Sequence, residues 1–193
     1  MRMVRCCLVA AVLLVSALAH AADVVFNDLP DAWATALATP GRQIVGGEPS
    51  ITFDIANDVF VFDPTVFGVS GIIFANDLAA NFPASATVVV VQDAGLNAAA
   101  AANAIAAEIT VSTPGFFVYF NAGLDLPRLV YSADLSDDTA DLLVLARLTN
   151  LELTDLPTFT AGNFSLESAV PTLSEWMLVP MAALLAIARM RAV

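Results

Sequence analysis

The chain has an apolar segment at each end and an acidic stretch between them, which limits where a globular fold can form. Residues 22–169 hold 18 acidic residues and three arginines, while the other four arginines lie near the two ends of the 193-residue chain. A stretch of this length is enough for one ordinary domain. The sequence therefore predicts a single acidic, globular body at residues 22–169, flanked by two targeting or membrane segments.

The first 21 residues have the layout of a secretory signal peptide. Arg2 and Arg5 give a positive start, residues 6–18 form an apolar run, and Ala19 and Ala21 supply the small residues of a cleavage site. The alternative, a retained transmembrane helix, needs about 20 apolar residues. Cleavage after Ala21 removes both cysteines and the one histidine, so we expect an exported body without disulfides.

A second apolar run covers residues 176–188 and is followed by Arg189 and Arg191. As a helix this run is about 20 Å long, against a hydrocarbon core of about 30 Å. It approaches spanning length when it extends to Val193 and the arginine side chains snorkel to the interface. Because basic residues stay on the cytoplasmic side, we predict a short transmembrane helix stopped by Arg189 and Arg191, with residues 22–175 across the membrane.

A seven-residue motif stands directly before this apolar run. Its members are Val170, Pro171, Thr172, Leu173, Ser174, Glu175 and Trp176. With the apolar helix and the terminal arginines, the motif resembles the IPTL-CTERM protein-sorting signal, which is similar in layout to PEP-CTERM. Three features depart from the family pattern: Val170 replaces Ile, Met177 stands where Gly is usual, and two arginines replace a longer basic cluster.

The resemblance implies a Gram-negative protein that an exosortase-like transpeptidase handles in the inner membrane. Residues 170–193 are then the sorting signal, and the helix is a temporary anchor that is removed during sorting. The protein would end at the cell surface or in an extracellular polysaccharide matrix. An ordinary single-pass tail anchor with an accidental motif is the alternative.

The body shows short β-type runs separated by Pro- and Gly-containing turns. A short helix is expected at residues 31–39, and an alanine-rich helix at residues 98–109 with Asn97 as its N-cap. Residues 138–148 fit either a strand or a capped helix, and the alternation of Leu and Val favours a strand. Expected strands are residues 50–56, 58–62, 71–74, 87–92, 116–120 and 128–131, with a turn at Leu126-Pro127. We predict a mainly β fold, an antiparallel β-sandwich with one long helix.

Residue inventory excludes several classes of function. A net charge of −12 without a basic run excludes nucleic-acid binding. Residues 22–169 contain no His, Cys or Lys, so the usual general bases, nucleophiles, and zinc or copper ligands are missing. We therefore expect a non-enzymatic protein without a required cofactor. A glycosidase that uses only two carboxylates is an alternative, although no spacing singles out a pair.

Two features of the body suggest a secreted binding module as another alternative. Asp134, Asp137, Asp138 and Asp141 form the densest acidic cluster, and oxygen ligands from one loop suit Ca²⁺. The same cluster also fits an exposed, water-facing turn. Aromatic side chains in two runs are candidates for a glycan-binding face, or for strands buried on both sides. They are Phe116, Phe117, Tyr119, Phe120 and Tyr131.

Overall fold

The computed structural model describes residues 22–167, which form short strands with a few helices. The strands are β1 (Asp23–Phe26), β2 (Ile44–Val45), β3 (Ser50–Ile51), β4 (Val59–Phe62), β5 (Phe74–Asp77), β6 (Val88–Leu96), β7 (Gly115–Asn121), β8 (Leu126–Ser132), β9 (Leu142–Leu148) and β10 (Phe164–Leu166). The α-helices are α1 (Asp31–Leu37), α2 (Pro64–Phe67) and α3 (Ala98–Ala106). Short 3₁₀ helices cover Ala79–Asn81, Leu153–Thr158 and Ala161–Asn163.

The mainly β composition and both expected helices are confirmed. Asn97 caps α3, because its side-chain oxygen accepts a hydrogen bond from the Ala100 amide at 2.9 Å. The ambiguous segment at residues 138–148 contains strand β9. The turn expected at Leu126-Pro127 is wrong, since both residues belong to β8.

The expected antiparallel pairing is also wrong for most strand pairs. In the larger sheet the order is β2-β9-β8-β7-β6-β5, with β3 also paired to β9. Only the β7–β8 and β8–β9 pairs described here are antiparallel, while β5–β6, β6–β7, β2–β9 and β3–β9 are parallel. Between β6 and β7 the reason is the crossover through α3, since a helix that returns the chain to the same end of the sheet joins parallel strands.

A second, smaller sheet is parallel throughout and joins the two ends of the described chain. Its central strand β4 pairs with β1 on one side and β10 on the other. In this register Phe60 lies beside both Val24 and Phe164. The sequence analysis did not expect β1 or β10, because each is only three or four residues long and its partner strand is far away in sequence.

Aromatic side chains fill the space between the two sheets. The rings of Phe62 and Phe116 stack with their centroids 3.7 Å apart, and those of Phe53 and Phe60 are 4.0 Å apart. All four side chains are fully buried. The small sheet and the larger sheet therefore pack face to face across one continuous core.

The opposite face of the larger sheet is covered by α3. Ala101 and Ile105 of this helix pack with Val89 and Phe117 in a second core. The small alanine side chains let the helix approach closely, and alternate residues of β6 and β7 point into the two cores. The central strands are thus buried on both faces, which explains their almost continuous apolar sequence.

The stacked phenylalanines between the sheets give the first prediction. We expect Phe62→Ala to lower the free energy of unfolding by about 3–5 kcal/mol, because it removes a fully buried ring and leaves a cavity. Urea unfolding followed by circular dichroism measures this change. Val25→Ala, at a half-exposed position of β1, is the control and should change stability by no more than about 0.5 kcal/mol. Equal effects of the two variants would contradict the shared core.

Candidate functional site

The predicted targeting features lie outside the described residues. These are the cleavage-site residues Ala19 and Ala21, the motif at residues 170–176, and the stop residues Arg189 and Arg191. Among residues 22–167, no helix has both the length and the apolar character needed to span a bilayer.

Asp134, the first residue of the acidic cluster, serves as a hydrogen-bond acceptor for the surrounding loop. Its carboxylate accepts from the Ser112 hydroxyl, from the Thr113 amide at 3.2 Å, and from the Ser136 amide and hydroxyl at 2.9 and 2.8 Å. Partial burial raises the pKa of Asp134, but these hydrogen bonds lower it by more, so its net pKa lies below the usual value. Asp134 thereby ties the segment before β7 to the loop after β8.

The other three acidic residues of the cluster have separate surroundings. Asp137 accepts hydrogen bonds from the amide and hydroxyl of Thr139, both at 2.7 Å, which lower its pKa. Asp141 accepts one from the Gln43 amide at 2.6 Å, and Asp138 is exposed. Within residues 22–167, no three acidic, histidine or cysteine side chains are grouped closely enough to hold a metal ion. The hydrogen bonds give the cluster a structural part in shaping its loop.

This arrangement predicts that Asp134 stabilises the fold without Ca²⁺. We expect Asp134→Ala to lower the free energy of unfolding by about 1–3 kcal/mol, because Thr113 and Ser136 lose a charged acceptor. The loss should be the same in EDTA and in millimolar Ca²⁺ when thermal unfolding is followed by circular dichroism. Exposed Asp138→Asn is the control and should have little effect. A large rise of the wild-type melting temperature in Ca²⁺ would contradict this prediction and restore the ion-binding hypothesis.

Most of the aromatic candidates belong to the core. Phe116, Phe117 and Tyr119 are fully buried, and Tyr131 is nearly so, with its hydroxyl donating to the Phe67 carbonyl at 2.9 Å. The buried-strand interpretation is correct for these side chains.

Phe120 differs from the other aromatic candidates because it is only partly buried. It lies near the C-terminal end of β7, a central strand, where part of its side chain packs against the main core and part is exposed.

A charged group that the sequence analysis missed crosses three strands, with Arg128 buried and its two partners partly exposed. Arg128 of β8 lies directly opposite Arg147 of β9 and opposite Tyr119 of β7. Two arginines in register repel each other. Glu48, in the loop between β2 and β3, offsets this repulsion by bonding Arg128 with one carboxylate oxygen and Arg147 with the other, at 2.6 Å from the Arg147 Nε. In the sequence, the only indication of this group was an arginine in each of two otherwise apolar strands, Arg128 in β8 and Arg147 in β9.

The pKa of Glu48 reflects these contacts. Partial burial raises it, but hydrogen bonds from Arg147 and Arg128 lower it by more, so the net pKa lies below the ordinary value of 4.5. The carboxylate is therefore ionised at neutral pH, as both arginines require.

The same polar group extends to the turn between β7 and β8. Arg128 donates to the Tyr119 hydroxyl at 3.3 Å, and the side-chain amide of Asn121 donates to that hydroxyl at 2.8 Å. The Asn121 side-chain oxygen in turn accepts from the amides of Gly123 and Leu124 at 3.0 and 3.1 Å. The buried Arg128 is thereby linked, through Tyr119 and Asn121, to the conformation of a surface turn.

This turn forms one wall of an open cleft of about 570 Å³. The other wall is the segment that follows β9, where the Asn150 side chain accepts from the Phe53 amide at 2.9 Å and donates to its carbonyl at 3.0 Å. The cleft is lined by Phe120, Asp125, Thr149, Asn150, Leu151, Glu152, Leu153 and Thr154. It places two carboxylates, two hydroxyls and one aromatic ring on one concave surface.

Comparison with protein-family models, with curated proteins and with solved structures finds no match for this chain.

The bridge formed by Glu48 generates a pH-dependent prediction. We expect Glu48→Gln to lower the free energy of unfolding at pH 7 by about 1.5–3 kcal/mol, because both arginines lose a charged partner. Since the folded pKa is lowered, the wild-type contribution is full above about pH 4.5 and is lost as the pH falls through the folded pKa.

Urea unfolding between pH 3 and pH 7 measures both effects. The stability of the Glu48→Gln variant should fall less than that of the wild type over the acidic part of this range. Asp138→Asn, at an exposed position, is again the matched control. Parallel pH profiles of wild type and Glu48→Gln would contradict the role assigned to the bridge.

Proposed function

We propose that this protein is an exported, non-enzymatic component of the surface or extracellular matrix of a Gram-negative bacterium, sorted by an exosortase-like transpeptidase. The observation that carries the proposal is the motif at residues 170–176, placed directly before an apolar run and two arginines. In this proposal the signal peptide starts export, and the C-terminal helix anchors the chain in the inner membrane until sorting removes it.

The described body supports this division of the chain. Its first strand starts at Asp23, just after the expected cleavage site, and its last strand ends at Leu166, shortly before the motif. Both strands complete the small sheet, so the body closes its own core between the two targeting segments. Face-to-face packing of two sheets supports the finer part of the proposal, a β-sandwich-like ectodomain.

The charges of the body favour a non-enzymatic role. A glycosidase acid needs a carboxyl group whose pKa is raised. The acidic side chains with shifted pKa values in residues 22–167 are Asp77, Glu48, Asp134 and Asp137, and each is shifted downward. Carboxylates that ionise more easily suit structural hydrogen bonding better than proton donation.

The sorting proposal predicts two cuts. We expect the full chain, expressed in a Gram-negative host with an exosortase-type enzyme, to be recovered with Ala22 as its first residue and without the apolar tail. In a matched host lacking that enzyme, the chain should keep residues 176–193 and stay in the inner-membrane fraction. Intact mass spectrometry of each fraction measures both cuts.

Motif variants make this prediction specific. Pro171→Ala and Trp176→Ala should block removal of the tail in the competent host, because they change the expected recognition stretch. Ser168→Ala, just outside the motif, is the control and should be processed normally. Recovery of the full-length chain in the cytosol, or identical tail removal in both hosts, would refute the proposal.

A further inference from the structure

We propose that the cleft between the β7–β8 turn and the segment after β9 binds a neutral oligosaccharide. The site combines an apolar ring with polar side chains that accept and donate hydrogen bonds, on a surface open enough for an extended chain. A sugar presents the same two kinds of surface, since its ring has an apolar C–H face and a rim of hydroxyl groups.

The apolar part of the cleft comes from Phe120 and two leucines. Phe120 and Leu153 are each partly exposed in the lining, and each also packs against the main core. An aromatic face in contact with a ligand buries a large apolar area at a low cost in side-chain entropy. This surface suits the C–H face of a pyranose.

The polar part of the cleft is dominated by hydrogen-bond acceptors. Asp125 is exposed, and its carboxylate has no hydrogen-bond partner among residues 22–167. The Glu152 carboxylate accepts only from the first turn of the following 3₁₀ helix. A carboxylate has two oxygens with several lone pairs, so each of these groups can accept bonds from the hydroxyls of a sugar. Thr154 adds a hydroxyl that both donates and accepts.

The charge of the cleft lining determines which saccharides can bind. No arginine lines the cleft, while Asp125 and Glu152 both do. An anionic sugar such as a uronate would be repelled, because nothing in the lining neutralises its carboxylate. Two carboxylates are also fewer than the oxygen ligands that Ca²⁺ requires, and residues 22–167 contain no grouping of three such side chains. A neutral saccharide is not repelled by the two carboxylates and needs no further oxygen ligands.

Both walls of the cleft are held in place before any ligand binds. Asp125 has a positive φ of 55° and ends the turn that Asn121 fixes through its side-chain bonds. Asn150 fixes the opposite wall to the backbone of Phe53. Pre-organised walls lower the entropy cost of binding, which weak saccharide ligands depend on.

The inference adds a ligand class to the proposed matrix function, and it fails independently of the sorting proposal. Binding is measured on the full chain purified in detergent, so it requires no sorting enzyme. Loss of sorting with intact glycan binding would overturn only the proposed route, and the reverse result would overturn only the cleft.

The test is a glycan array followed by titration calorimetry with the best neutral oligosaccharide. We expect binding to neutral glucans, mannans or galactans and none to polyuronates. Asp125→Asn should weaken binding about tenfold, because Asn tolerates the left-handed backbone but loses the charged acceptor. Phe120→Ala should weaken it by a similar factor. Circular dichroism checks that each variant keeps its fold.

Asp138→Asn is the matched control, since it removes an exposed carboxylate outside the cleft. Its affinity should equal that of the wild type. Absence of binding to every neutral glycan at millimolar concentration would overturn the inference. So would binding that Asp125→Asn leaves unchanged in a folded protein, or a preference for polyuronates.

Discussion

The bond between one glutamate and two arginines constrains how β8, β9 and the β2–β3 loop fit together in the larger sheet. In register, β8 and β9 place Arg128 and Arg147 side by side, which is unfavourable without an anion between them. Glu48 reaches this position from a left-handed backbone conformation. Nearby, Gly46 passes so close to the Val144 carbonyl that any side chain would collide with it. The bonds of Glu48 and the close approach of Gly46 to Val144 therefore restrict the backbone conformation of the β2–β3 loop and the register of β9.

The sequence could predict the apolar strands and the capped helix, but not how the strands pair. Strands β6, β7 and β9 were predictable, because each is a strongly apolar run, and Asn97 marked the start of α3. Parallel pairing was not predictable, since it is decided by how the segments between strands cross the sheet, as α3 does between β6 and β7. The short strands β1 and β10 were missed, because each is only three or four residues long and its partner β4 is distant in sequence.

The candidate sites also have parts that the sequence could predict and parts that depend on the folded arrangement. The sequence identified the acidic loop, because its aspartates lie close together along the chain. It did not show that the carboxylates of Asp134 and Asp141 accept hydrogen bonds from backbone amides of other segments. The cleft was not predicted, because its two walls are far apart in sequence. One wall precedes β8 and the other follows β9. Only the antiparallel β7–β8–β9 arrangement brings Phe120 and Asp125 beside the segment at residues 149–154.

The distribution of charge connects the fold to the proposed function. Arg128 and Arg147 are bound to Glu48, and Arg42 donates to the Ala99 carbonyl and the Asn103 side chain, both in α3. All three arginines of residues 22–167 are thus engaged within the fold, and the remaining acidic residues leave an excess of negative charge. Such a body repels copies of itself and anionic surfaces. Its recognition of other molecules then favours uncharged partners, which suit the carboxylates, hydroxyls and aromatic ring of the cleft.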